Sequence, residues 1–528
     1  MKKSLYTAAI CSAIISILGG CTKLDEKVYD RIPADQFVPT EKDIPSLIAP
    51  VYTNLRPMHA SWQGNFDLQE EAADAIVTPV RPNGWYDGGT YQRMHEHKWN
   101  QVQSQPNNLW ANSYRGINLA NRLIYQITAG VIPVTTGKEA LVAEMKAARA
   151  YYYYCLLDNH GNVPIVTDYQ DVSLPKQSTR QQVYDFVVKE FNENIPLLSD
   201  KADKLTYGRF NRWAAKAILA KVYLNAEVYT GTPQWEACIK ECNDIIAAAP
   251  GRYILEPDYK SPFRTENQNS KELILTVPYD EILATEFNMH MKALDPVQQF
   301  VFSMSAQPWG GSAAVPQFID TYDPDDDRLK ATWTWGPQIN ATTGAVAINY
   351  TKHLNGLALS GSNQGYRMIK YEIKQGARAA LSVDYPLARY SDILMMKAEC
   401  LLRTGKAADA AVLVTQVRQR AFQSAPAKAT VTGAQLMMGS SYKYGYYNTD
   451  ASITELQGGA DVAYGRFLDE LGWEFAAEAH RRQDMIRFGV FNTKIWFNHR
   501  PSAPTRKLFP IPEAELTKNP NLKQNPGY

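Results

Sequence analysis

Residues 81–90 read RPNGWYDGGT, with a tryptophan and a tyrosine set among turn formers that break both helix and strand. Large aromatics usually ride on a periodic segment into a core. On a loop, Trp85 and Tyr86 can instead offer flat apolar faces, with Arg81, Asn83 and Asp87 beside them to donate and accept hydrogen bonds. That chemistry is recognition rather than bond making. SAQPWGGS (Ser305–Ser312) repeats the recipe around Trp309. In TWTWG, Trp333 and Trp335 are two apart and share one side of an extended strand, either as a stacking surface or as a plug onto helices. Asp67, in GNFDLQEE just ahead of the first loop, either reaches a ligand hydroxyl or caps a helix. Tyr279 and the tyrosines from Tyr442 to Tyr447 are weaker aromatic candidates.

Bond-making sets are poorly supported. Asp323, Asp325, Asp326 and Asp327 form an acidic knot, but the glycine and distal glutamate of a calcium loop are missing. His95 and His97 in HEH fall on one face of a strand with no third ligand, and read as solvated. Glu70–Glu71 and Glu474–Glu478 offer carboxylates, but at a separation that sequence does not reveal. No nucleophile elbow or phosphate loop occurs, and nothing calls for a metal or cofactor. Cys155, Cys238, Cys242 and Cys400 sit in helix-like apolar contexts and read as buried free thiols.

The elements that must carry these loops are amphipathic helices. Trp213, Ala217, Ala220 and Leu224 recur at steps of four and three, with Arg212, Lys216 and Lys221 off the stripe. Thr179 and Gln182 stand at capping-box spacing ahead of Val183, Val187, Phe191 and Ile195. NNLWANSYRGINLANRLIYQI and KEALVAEMKAARAYYYYCLL pair in the same way, as do PLARYSDILMMKAECLLRTG and AADAAVLVTQVRQRAF. Inward alanines let such hairpins pack closely, in a tetratricopeptide-like manner. The expected fold is therefore mainly α: a helical-hairpin scaffold over residues 41–275 and 382–528, with a few short strands. Long irregular stretches occupy residues 276–381 and 424–465, and their aromatic content argues against disorder.

Lys2 and Lys3 precede an apolar run, Ala8 to Leu18, too short to span a bilayer, followed by LGGC. The expectation is a signal peptide over residues 1–20, acylation at Cys21 and a lipidated tether over residues 21–40, with a single domain from 41 to 528. The 55 basic and 54 acidic residues nearly cancel, so a nucleic-acid partner has no electrostatic support.

DYPLARYSDILMMKAECLLRTG, LGWEFAAEAHRRQDMIRFGVF and LFPIPEAELTKNPNLKQNPGY resemble the SusD/RagB family of outer-membrane nutrient-binding lipoproteins; PIP…NPNL.QNPGY is the most specific piece, and VPQFIDTYDPDDDR fits a mid-chain motif. The resemblance spans essentially the whole chain. It implies a surface lipoprotein that captures oligo- or polysaccharide and passes it to a SusC-like TonB-dependent transporter. In the family the aspartate knot looks structural, with Arg328 as charge partner, and HRRQDMIR (His480–Arg487) pairs charges inside the scaffold. A sugar ring has an apolar C–H face and a hydroxyl rim, which suits Trp85, Tyr86, Trp309 and Trp335 as platforms and Arg81, Asn83, Asp87 and Asp67 as rim groups. The competing expectations are a lipoprotein glycoside hydrolase on the same scaffold, and a family member that binds peptides or host glycoprotein glycans.

Overall fold

The computed structural model describes residues 38–82 and 84–528, so the expected leader, Cys21 and Asn83 lie outside the described residues. The helices that matter here are α1 (Ile44–Thr53), α2 (Asn65–Glu70), α3 (Thr90–His95), α4 (Ser104–Thr128), α5 (Lys138–Asn159), α6 (Arg180–Asn194), α7 (Arg212–Leu224), α8 (Trp235–Ala248), α9 (Met289–Ala293), α10 (Tyr390–Arg403), α11 (Ala407–Arg418), α12 (Gly465–Phe475) and α13 (Arg481–Arg487). Helix α4 packs on α5, α5 on α6, α7 on α8 and α10 on α11, and α8 closes against α10. The fold is mainly α, with helical hairpins side by side.

Local chemistry explains these elements. The Gln182 amide donates to Thr179 Oγ1 and the Gln182 side chain accepts from the Thr179 amide, so α6 opens with a reciprocal cap. Trp213, Ala217, Ala220 and Leu224 form the buried stripe of α7. Gly116 in α4 is a contact requirement, because a Cβ there would lie 2.2 Å from the Tyr152 ring of α5. Tyr151 to Tyr154 are all buried, and each hydroxyl finds a partner: His59, the Val51 carbonyl, the Val166 carbonyl and Gln483.

Strands are short and pair two at a time. They are β1 (Ile76–Val77), β2 (Leu273–Val277), β3 (Ala313–Ala314), β4 (Trp333–Thr334), β5 (Gly336–Ile339), β6 (Val346–Tyr350), β7 (Arg367–Met368), β8 (Tyr385–Arg389), β9 (Tyr446–Tyr447) and β10 (Ile453–Thr454). The antiparallel pairs are β1–β3, β2–β8, β4–β7, β5–β6 and β9–β10. The first pair sets Ile76 opposite Ala314 and Val77 opposite Ala313, which brings the segment entering residues 81–90 alongside the one leaving residues 305–312.

The scaffold core is partly ionic. Arg389 bonds Glu272 at 2.8 Å, Glu474 at 2.7 Å and Glu478 at 2.8 Å, all fully buried. In HRRQDMIR, Arg481 pairs with Asp74, Arg482 with Asp158, and Arg487 with Glu399 and Asp484. The aspartate knot is similarly neutralised: Arg328 holds Asp326 at 2.7 Å, and Lys428 bridges Asp323 and Asp325. Glu70 is also sealed in, and burial pushes its pKa up to about 8. The four cysteines are free and buried.

The histidine pair differs from expectation. His95 ends α3 and His97 follows with a left-handed backbone (φ 55°), so neither is on a strand. Both are buried, not solvated, packed with His499, Trp496 and Phe491. Burial lowers the pKa of each to about 3 and keeps it neutral. Among the described residues, no group of three or more His, Cys, Asp or Glu could hold a metal ion.

Candidate functional site

Three tryptophans from separate segments converge. The Trp85 and Trp309 rings lie nearly parallel, 17° apart with centroids separated by 6.2 Å. Trp62 meets Trp309 edge-on at 5.8 Å, and Tyr91 of α3 backs Trp85 at 6.1 Å. Trp85 and Trp309 are half-buried, Trp62 is 38% exposed, and Tyr86, next to Trp85, is 54% exposed. The result is an aromatic shelf, half-buried at Trp85 and Trp309 and exposed at Trp62 and Tyr86.

Backbone geometry makes the shelf possible. The Arg81 amide donates to the Trp85 carbonyl and the Gly84 amide to the Arg81 carbonyl, closing the turn that carries Trp85. Gly311 passes beneath Trp85 so closely that a Cβ would come within 2.8 Å of the indole. The Trp309 amide donates to the Met291 carbonyl at 2.7 Å, tying its loop to α9. Asp87 stays exposed on the same loop as Tyr86.

Two expected rim groups are not at the rim. Arg81 is 1% exposed; its guanidinium donates to the carbonyls of Gly311, Gly361 and Gln364 at 2.8–3.0 Å. Burial first, then the neighbouring Arg367 charge, pull its pKa well below the ordinary value. Arg367, also buried, donates to the Ser312 and Ser362 carbonyls. The two arginines therefore staple the loops together from inside. Asp67, likewise 1% exposed, accepts from the Gln63 amide and Tyr91 hydroxyl and pairs with Lys292. It caps no helix and faces no solvent, because it turns into the interior within the first turn of α2.

Trp335 belongs elsewhere. Strand β4 ends at Thr334 and Gly336 takes a left-handed turn (φ 70°), so Trp333 is buried while Trp335 stands 40% exposed. The expectation that both face one side is thereby corrected. Trp335 stacks on Tyr366 at 5.2 Å and 17°. Tyr279, Tyr442, Tyr444 and Tyr447 are buried and offer no ligand face. Trp62 and Tyr366 were missed, although Trp62 carried a legible signal: it stands in SWQG, a tryptophan among turn formers like Trp85.

A family model described as "Starch-binding associating with outer membrane" matches residues 24–224, and a second, described as "SusD family", matches residues 305–501. The chain is 23% identical over 540 residues to a SusD-like protein P25 of Formosa agariphila, covering 96% of each chain. It is 22% identical over 441 residues to the starch-binding protein SusD of Bacteroides thetaiotaomicron, covering 73% of this chain and 72% of that protein. Among solved structures, surface glycan-binding protein A of Bacteroides thetaiotaomicron in complex with laminarihexaose superposes with a TM-score of 0.71 at 19% identity, over 92% of this chain and 99% of that one. At such identity the structural likeness establishes the fold.

Proposed function

The chain belongs to the SusD/RagB family, and from that premise we propose that it is a surface glycan-binding protein that holds oligosaccharide on the shelf of Trp62, Trp85 and Trp309 without cutting it. The observation that carries the reading is the convergence of three indoles from three segments onto one open face. Relatives named for starch binding and for a laminarihexaose complex support the ligand class.

The C–H face of a sugar ring settles on an indole, while Tyr86 and Asp87 meet the hydroxyl rim. Asn83 is proposed as a further rim group on the same loop. Each ring stacked on an indole contributes only modestly against the cost of association, so useful affinity requires several rings in register and favours oligomers over monosaccharides. Trp335 on Tyr366 offers a further face for a longer chain. Acylation at Cys21 would tether the protein to the outer membrane, where a SusC-like TonB-dependent transporter receives the cargo.

A panel of neutral plant, microbial and host oligosaccharides, titrated calorimetrically and then assayed for new reducing ends, tests this reading. Micromolar binding of at least one oligomer, much weaker binding of its monosaccharide and no new reducing ends are expected. Sustained release of reducing ends would make the protein a glycosidase and overturn the proposal.

A further inference from the structure

Trp62, Trp85 and Trp309 are far apart in sequence, and their shared geometry requires something that all three segments contact. That contact lies beneath the shelf. Lys292 of α9 is 3% exposed at its side chain; its ammonium pairs with Asp67 at 2.5 Å and Glu71 at 2.6 Å and sits 4.2 Å over the Tyr91 ring. Burial pulls its pKa down, but the two carboxylates more than compensate and hold it above the ordinary lysine value.

Each segment is tied to this cluster. Asp67 accepts from the Gln63 amide, next to Trp62, and from the Tyr91 hydroxyl, whose ring backs Trp85. Glu71 accepts from the Ser312 and Thr78 hydroxyls, at 3.1 and 2.6 Å. The Lys292 carbonyl accepts from the Gly311 and Ser312 amides, and the preceding carbonyl from Trp309. A buried ion cluster is a weak source of stability but directional, because each bond has one geometry and a high cost when broken. Apolar packing would cover the same area without fixing ring angles.

We propose that Lys292, with Asp67 and Glu71, is the positioning device of the shelf, setting the angle between Trp85 and Trp309 without touching the ligand. The effect on affinity rests on the glycan reading above; the effect on ring geometry does not.

The experiment compares wild type, Lys292→Met and the neutral near-isostere Lys292→Met/Asp67→Asn/Glu71→Gln. The triple variant leaves no unpaired buried charge, so it decides the matter even where the single variant fails to fold. The Trp85–Trp309 pair is read by near-ultraviolet circular dichroism, its contribution defined by difference from Trp85→Ala. The triple variant removes the ion pairs while its amide oxygens still accept from Gln63, Tyr91, Thr78 and Ser312. The expected result is therefore a shifted pair signal and a severalfold rise in oligosaccharide Kd, with a melting temperature close to wild type. An unchanged pair signal overturns the proposal. If wild type binds no glycan, the functional reading fails, while the pair signal still decides the positioning claim.

Discussion

Acidification from pH 7 to pH 5 is expected to destabilise this protein severely. Of its eight histidines, seven have folded-state pKa values below the ordinary value because burial penalises the cation. Those of His59, His95 and His97 lie at about 3 and those of His160 and His290 at about 4. The unfolded chain takes up these protons near pH 6.5, whereas the folded chain does not until far lower, so stability is complete above pH 6.5 and falls with pH below it. Each group removes about 1.4 kcal/mol per pH unit in that window. Four buried carboxyls oppose the trend. Burial raises the pKa of Glu70 to about 8 and that of Asp484 to about 6, and raises those of Asp384 and Asp469 as well, so the folded state gains from their early protonation. The buried imidazoles outnumber these carboxyls, so the net effect of acid is a loss that is large against a total stability of about 5–15 kcal/mol. Melting temperature should fall steeply below pH 6.5, with loss of far-ultraviolet dichroism before pH 4.5. A melting temperature unchanged between pH 7 and pH 5 would refute this account of the buried imidazoles.

Replacing Arg389 by methionine should be the most damaging single change in the scaffold. Its guanidinium is the shared partner of Glu272, Glu474 and Glu478, none of which reaches water. Burial by itself would raise the pKa of Glu474; Arg420, Arg389 and Arg328 together reverse that and hold it well below the ordinary carboxylate range. Without Arg389, Glu272 and the Glu474–Glu478 pair lose the one cation common to all three, and only Arg420, Arg328 and Lys370 remain to offset them in a low-dielectric interior. Breaking such a buried network costs about 3–5 kcal/mol. Denaturant unfolding should show a loss of that size. The exposed Arg500–Glu455 pair is the control, and Arg500→Ala should leave the unfolding midpoint close to wild type. Equal small effects for both variants would show that the network does not hold the fold.

The helices were legible because burial leaves a period in the sequence: the Trp213 stripe and the Thr179 cap need only near neighbours. The shelf was partly legible, because a tryptophan among glycines and prolines has no periodic segment to bury it. Polar partners were not. Arg81 and Asp67 stand beside the loop in sequence and read as rim groups, but Lys292 is 225 residues from Asp67 and the Gly361 carbonyl 280 from Arg81. Only the tertiary fold supplies those bonds, and with them the burial that removes both residues from solvent. The His95–His97 pair misled for a related reason. Alternation suggested a strand, whereas the end of α3 and a left-handed turn carry both rings into a pocket closed by the C-terminal segment.

The most direct test is calorimetric titration of Trp85→Ala/Trp309→Ala with the tightest oligosaccharide found for the wild type. Losing two central aromatic contacts should cost at least about 2 kcal/mol, a rise in Kd of roughly thirtyfold or more, in a protein that still melts cooperatively. Undiminished affinity in that folded variant would show that the sugar rests somewhere other than on these indoles.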